Sequence, residues 1–175
     1  MGTPNVVVQV ERAFVSNLPV APSSGQTVVL FATHPCTLGT GGASVTSTFE
    51  RGGGSPDPSG TTTVIVDPDA LEEIEATFAK HDVASAANGL RAYQLLDDGT
   101  WAETDMKGYV GGVANQPTIG SAAAIQVPAL TTGQEWSENF DVGRYRGFAL
   151  TYTAGTSNLS EWKLTIAAKY AKQGG

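Results

Sequence analysis

Two segments near the carboxyl end read FALTYT (residues 148–153) and WKLTIAAKY (residues 162–170). In both, the larger apolar residues occupy the even positions, and Thr, Lys or Ala occupy the odd positions. A period of two residues is typical of β-strands, because successive side chains point to opposite faces of the sheet. One apolar face and one more polar face predict an antiparallel sheet packed on a core. Such a sheet forms the wall of a β-sandwich or barrel.

Shorter β-branched and apolar runs, separated by turn residues, recur along the rest of the chain. Asp98 and Gly99 predict the clearest hairpin, because an Asp-Gly pair tolerates the positive φ that a tight turn needs. The unbroken apolar run at residues 27–32 predicts a strand covered on both faces. Strands are expected near residues 6–15, 27–32, 43–49, 61–66, 90–104 and 125–130, and residues 135–142 lead into the C-terminal pair.

This pattern predicts a mainly β chain. We expect an antiparallel β-sandwich, jelly-roll-like, with residues 1–175 forming a single domain. Gly and Pro concentrate near residues 39–42 and 52–60, which predicts flexible loops there.

One segment changes period. Leu71, Ile74 and Phe78 fall three and four residues apart, which predicts one short amphipathic helix inserted near residues 69–83. Asp69 is the expected N-cap, and the carboxylates that follow it suit the positive end of a helix dipole. The same acidic cluster lacks the alternating oxygen ligands and the central Gly of an EF-hand loop, so a helix cap is favoured over a metal site.

Charged residues are few and unevenly distributed. They make up 15% of the chain, whose net charge is −7. No Asp, Glu, Lys or Arg occurs between Ala13 and Phe49 or between Gly108 and Gln134. Exposed loops of a monomer usually carry charge, so these tracts are interpreted either as surface covered by a neighbouring subunit or as ordinary Ser/Thr/Gly loops.

Candidate partner contacts come from the first strand, the uncharged tracts and the aromatic residues. Trp136, Tyr145 and Arg144 predict a polar and aromatic ledge that suits a saccharide or a partner chain. Packing on the core is the favoured alternative for each aromatic residue. The full set of candidates is Val6, Val8, Ser44, Thr46, Tyr109, Trp136, Arg144 and Tyr145.

Catalytic and cofactor motifs are absent from the sequence. It contains no glycine-rich phosphate loop with its Lys, no HExxH, no GxSxG and no paired Cys motif. His34 precedes Cys36 by two residues, but Pro35 between them makes a thiol and base pair doubtful. We therefore expect no enzyme activity, no cofactor and no metal ion.

Charge and hydropathy also limit the partners. A negative chain without clustered Lys and Arg argues against nucleic acid. No run approaches the roughly 18 apolar residues of a membrane span, and the first residues lack the basic and apolar regions of a secretory signal. Cys36 is the only cysteine, so no intrachain disulfide is expected. These observations favour protein partners.

The C-terminal block resembles the end of small jelly-roll capsid cement (decoration) proteins of tailed bacteriophages. Residues 140–146 read FDVGRYR and are followed by FALTYTAG at residues 148–155 and by the strand at residues 162–170. In that family a strand carrying YR runs into a strand ending in YTAGT, and a last strand closes the sandwich. The loop at 52–60 and the segment at 69–83 depart from the usual small form. The resemblance implies a β-sandwich that assembles, often as a trimer, on the outside of an icosahedral head.

Two functions are expected from these observations. The first is a structural virion protein, made in the host cytoplasm and located on the capsid surface, which stabilises a bacteriophage head. Its partners are then the major capsid protein and copies of itself, with a homotrimer favoured. The alternative is a carbohydrate- or receptor-binding β-sandwich module of a phage tail fibre or similar adhesin, with Trp136, Tyr145 and Tyr109 as contacts.

Overall fold

A computed structural model describes residues 8–51, 63–82, 89–104, 125–143, 145–155, 159 and 161–173. The described part is mainly β and contains no α-helix. Its strands are β1 (Val8–Val15), β2 (Thr27–Ala32), β3 (Phe49–Arg51), β4 (Thr63–Val64), β5 (Leu71–His81), β6 (Leu90–Leu95), β7 (Trp101–Thr104), β8 (Trp136–Asp141), β9 (Phe148–Thr153) and β10 (Trp162–Gln173).

The strands form two antiparallel sheets that pack as a sandwich. The six-stranded sheet has the order β4-β3-β1-β10-β5-β8, and the four-stranded sheet has the order β2-β9-β6-β7. The pairing is nested: β1 pairs with β10, β2 with β9, β5 with β8, and β6 with β7. The predicted antiparallel β-sandwich is confirmed.

The core lies between the two sheets and follows the predicted parity. Phe148, Leu150 and Tyr152 are buried on β9, as are Ile166 and Tyr170 on β10. These side chains meet apolar residues of the facing sheet in one continuous cluster. The alternation in the C-terminal segments therefore identified the core face correctly.

The sequence predicted that the outer face of β9 would be the more polar one, but this face is buried. Ala149 and Thr151 are buried, because residues 33–47 cross over the four-stranded sheet. A second small cluster forms there, in which Cys36 packs with Val29, Ala32 and Ala149. The expectation that residues 27–32 are covered on both faces is confirmed.

The predicted helix near residues 69–83 is wrong. Residues Leu71–His81 form β5, which pairs with β10 on one side and β8 on the other. Only a single 3-10 turn, Pro68–Ala70, precedes it, and Asp67 rather than Asp69 caps that turn by accepting a hydrogen bond from the Asp69 amide.

Two β-bulges explain the misleading spacing. The register with β10 shifts between Lys169 and Tyr170 and again between Lys163 and Leu164. Each shift places an extra residue on β5. At these two points successive inward-facing residues are three positions apart instead of two. The buried residues of β5 are Leu71, Ile74, Ala76, Phe78 and His81.

Other predicted elements differ in extent. The Asp98-Gly99 hairpin is confirmed between β6 and β7, with Gly99 at φ 84°. The runs at 43–49 and 125–130 were expected to be strands, but Val45 and Ile125 make only isolated bridges before β3 and β8. The loop at 52–60 lies outside the described residues.

Candidate assembly surface

The first uncharged tract folds back on itself at the end of β1. The Ser16 amide donates to the Thr48 carbonyl at 2.9 Å, and the two hydroxyl groups are also 2.9 Å apart. The Asn17 amide group donates to the Thr46 carbonyl at 2.8 Å and accepts from the Thr48 amide at 2.9 Å. Four hydrogen bonds between exposed residues thus fix this uncharged surface without any ion pair.

The connection from β1 to β2 continues this surface along one end of the sandwich. The Gly25 amide and the Ser24 hydroxyl both donate to the Gly155 carbonyl, at 3.1 and 3.0 Å. Trp162 donates through Nε1 to the Pro19 carbonyl at 3.3 Å. The connection is therefore anchored on Gly155, just after β9, and on the first residue of β10.

A second uncharged segment reaches the same end. His81 pairs with Trp162 across β5 and β10, and its Nδ1 lies 3.0 Å from the Pro128 carbonyl. Two aromatic rings thus join the β1–β2 connection to the segment before β8. We define the uncharged surface as the solvent-accessible residues of the segments 16–26, 40–48, 125–134 and 154–155, which contain no Asp, Glu, Lys or Arg.

The uncharged surface contains an exposed apolar side chain and borders a groove. Val20 is 85% exposed. Beside it, an open groove of about 560 Å³ is lined by residues 18–21 on one side and residues 161–164 on the other. The first wall is uncharged, whereas the second wall carries Lys163 and also Glu161, which forms an ion pair with Lys80. An uncharged surface bordered by charged residues is typical of a protein–protein interface.

Further ion pairs lie away from this surface. Arg12 pairs with Glu75 and Lys169 with Glu73 on the outer face of the six-stranded sheet. Arg51 makes a further pair with Glu11 at the edge of the same sheet. The distribution of charge therefore distinguishes the uncharged surface from the sheet face.

Only part of the predicted contact set meets on this surface. Ser44 and Thr46 are exposed on it. Val8 starts β1 opposite Gln173, at the other end of the strand from Ser16, about 26 Å away by strand rise. Val6, Tyr109 and Arg144 lie outside the described residues.

The predicted ledge of Trp136 and Tyr145 is not assembled. Trp136 begins β8, and Tyr145 follows the turn after the other end of that strand, so β8 separates them by roughly 20 Å. Both rings are partly buried against the main core, where Trp136 lies 6.0 Å from Phe78. Core packing, the favoured alternative, accounts for both.

His81 is the residue whose role the sequence analysis missed. It falls near the end of the segment predicted to be a helix, yet it is completely buried at the end of β5. Its Nε2 lies 2.7 Å from the Tyr152 hydroxyl. The spacing in the sequence could have indicated that His81 faces the core, because His81 follows Phe78 by three residues, as Ile74 follows Leu71. In the structure each of these two pairs spans one bulge.

The thiol and base pair considered from the sequence is not supported by the geometry. Cys36 is completely buried, and that burial raises the pKa of its thiol. The His34 Nδ1 lies 2.8 Å from the neighbouring Thr33 hydroxyl. A buried thiol with a raised pKa is a poor nucleophile.

Within the described ranges, no group of three His, Cys, Asp or Glu side chains is arranged to hold a metal ion. The same part of the chain contains no helix with the length and apolar character needed to cross a membrane. Comparison of the chain with protein-family models, with curated proteins and with solved structures finds no match.

Proposed function

We propose that this protein is a structural assembly protein, a capsid decoration protein that stabilises a bacteriophage head through protein–protein contacts and associates with copies of itself, as a trimer. The observation that carries the proposal is the uncharged surface. Separate uncharged segments of an acidic chain converge there and are held by hydrogen bonds.

The physical argument concerns repulsion between copies. Molecules with a net charge of −7 repel one another, and this repulsion normally keeps acidic proteins apart. A second copy approaches most easily where no carboxylate has to be desolvated. The uncharged surface is such a place, and Val20 offers it an apolar contact.

The strand order gives independent support. The nested pairs β1–β10, β2–β9, β5–β8 and β6–β7 describe one long antiparallel ribbon rolled so that successive pairs alternate between the sheets. This arrangement supports a jelly-roll topology, which occurs in viral capsid proteins and also in lectins. In this interpretation the β3–β4 hairpin extends the six-stranded sheet by two strands.

The C-terminal resemblance falls on structurally central elements. The segment at 148–155 comprises β9 and its end, where Gly155 anchors the β1–β2 connection. The strand at 162–170 lies within β10, at the middle of the six-stranded sheet. Two residues that anchor the β1–β2 connection, Gly155 and Trp162, thus belong to the block that resembles a decoration protein.

The first test is the mass of the purified protein in solution, measured by light scattering after size exclusion over a dilution series. We expect a defined multiple of the 18.1 kDa chain, and binding of that assembly to undecorated heads. A monomer at every concentration that also fails to bind heads contradicts the proposal and favours the ligand-binding module of a tail fibre.

A charge placed on the uncharged surface tests its role. Val20→Asp should weaken association by about tenfold or more, since an unpaired buried carboxylate costs several kcal/mol. Ser44→Asp and Thr46→Asp should act in the same direction. The matched control is Val10→Asp, which puts the same carboxylate on the 62% exposed Val10 of the outer sheet face. Equal effects at Val10 and Val20 would show that net charge, not location, controls association.

A further inference from the structure

His81 holds a short segment across the end of the sandwich. We call residues 125–130 the strap. The Leu130 amide donates to the His81 carbonyl at 2.6 Å, and Pro128 presents its carbonyl to the His81 ring. At its other end the strap exchanges two 2.8 Å hydrogen bonds between Ile125 and Leu90. Between these anchors Val127 is completely buried, so the strap closes the core.

The hydrogen bonds define the protonation state of His81. A carbonyl oxygen only accepts, so Nδ1 carries the proton and donates to Pro128. Nε2 is then unprotonated and accepts from the Tyr152 hydroxyl at 2.7 Å. Tyr152 remains a donor at all ordinary pH values, because burial, with a smaller contribution from the Asp82 charge, raises its pKa to about 12. Neutral His81 satisfies both partners.

Protonation of His81 would break this arrangement. Nε2 would become a second donor, so the Tyr152 hydroxyl could keep this contact only by rotating its hydrogen away and accepting, which would leave that hydrogen without the Nε2 acceptor. The imidazolium would also lie in an aromatic site, with ring centroids of Phe78 at 5.5 Å and Tyr152 at 5.7 Å. A cation completely buried among these rings is less stable than one in water.

We propose that His81 is a pH-sensitive latch: protonation in mildly acidic solution withdraws the ring from Tyr152 and Pro128 and releases the strap from the end of the sandwich. This inference is independent of the proposed decoration function, because the latch is defined by contacts within one chain. Because the strap belongs to the uncharged surface, its release would also change that surface.

Among the described residues, no carboxylate forms an ion pair with the His81 ring that would compensate for burying its positive charge. Asp82 follows it directly and favours the protonated form, but Asp82 is exposed. Lys80 and Glu161 pair with each other. From β9 the only titratable neighbour is Tyr152, and the strap contains no charged residue.

The direction of the pH dependence follows from the burial of the ring. Burial lowers the pKa of His81 below 6.5, and the Pro128 hydrogen bond and Asp82 offset only part of this effect. The released state takes up a proton more readily than the closed state. The closed strap is therefore fully stabilised above pH 6.5 and loses stability as the pH falls below 6.5 toward the lowered pKa.

Amide hydrogen exchange tests the latch. Exchange of the strap, including the Leu130 amide, is compared with that of β10 in the same sample, from pH 7.5 to 4.5. The ratio cancels the intrinsic pH dependence of exchange. We expect the opening equilibrium of the strap to rise by up to about tenfold per pH unit below pH 6.5, while β10 stays protected. A constant ratio across this range would overturn the proposal.

His81→Gln is the matched control. The Gln amide group can donate to Pro128 and its oxygen can accept from Tyr152, yet the side chain does not titrate. Its strap should show no acid-dependent opening, and an unchanged pH dependence would refute the latch. If the variant does not fold, the wild-type protein still decides the matter by NMR. The His81 ring and the Leu130 amide must then titrate together, and titration of the ring alone contradicts the inference.

Discussion

At Gly147 the structure has no space for a side chain. A methyl group there would lie 2.8 Å from the His34 Nδ1 and 2.8 Å from the Leu95 Cβ. The backbone cannot easily move away, because the Leu95 amide donates to the Gly147 carbonyl at 2.9 Å. The glycine is therefore required by close packing between β6 and the turn before β9.

We expect Gly147→Ala to lower the free energy of unfolding by about 1–3 kcal/mol, the usual cost of overpacking. Gly143→Ala is the control, since its nearest neighbours would be 3.5 Å away, which is ordinary contact. Urea unfolding of both variants measures the difference. Equal midpoints for the two variants would show that the site at Gly147 relaxes without cost.

At the scale of the element, β5 shows how context selects a strand. Its bulges at two positions place Leu71, Ile74, Phe78 and His81 on the core side, a spacing that a helix shares. The strand is stabilised by pairing on both edges, with β10 and with β8. Neither partner is adjacent in sequence, so the local pattern alone could not distinguish the two structures.

The β6–β7 hairpin is the element whose turn chemistry is most local. Gly99 has a φ of 84°, and Asp98 accepts hydrogen bonds from the amide and hydroxyl of Thr100. Gly99→Ala should cost about 1–2 kcal/mol of unfolding free energy, because a Cβ disfavours positive φ. Gly99→Asn should cost less, since Asn tolerates this conformation. If thermal or urea unfolding gives the same loss for both, positive φ is not the cause.

At the scale of the whole molecule, the distribution of charge separates two kinds of surface. The outer face of the six-stranded sheet carries partly exposed ion pairs, and surface pairs typically contribute little individually. The uncharged surface lies at the end where the β1–β2 connection, the strap and the end of β9 meet. In the proposed assembly, copies of the chain associate through the uncharged surface and not through the charged sheet face.

The proposed association should not depend on ion pairs. Salt shortens the screening length from about 10 Å at 0.1 M to about 3 Å at 1 M, which reduces repulsion between acidic copies. We expect the associated fraction to stay constant or increase as NaCl is raised over this range. Light scattering at fixed protein concentration measures it. Dissociation in high salt would mean that charged residues hold the copies together, contrary to the proposal.

The candidate surface was only partly predictable. Charge depletion pointed to Ser44 and Thr46, which are exposed on the uncharged surface. It did not indicate that Asn17 would bind their segment, because that contact joins residues far apart in the chain. The aromatic ledge failed for a related reason: Trp136 and Tyr145 are close in sequence, but an extended strand keeps them apart.

The β class, the core parity of β9 and β10 and the Asp98-Gly99 turn could all be predicted from the sequence, because each depends on side chains that are neighbours along the chain. Three features became visible only in the folded chain: residues 71–81 form a strand, residues 33–47 cover the second sheet, and His81 is buried against Tyr152. These features arise from pairing and burial between distant segments, whose free energy exceeds local preference.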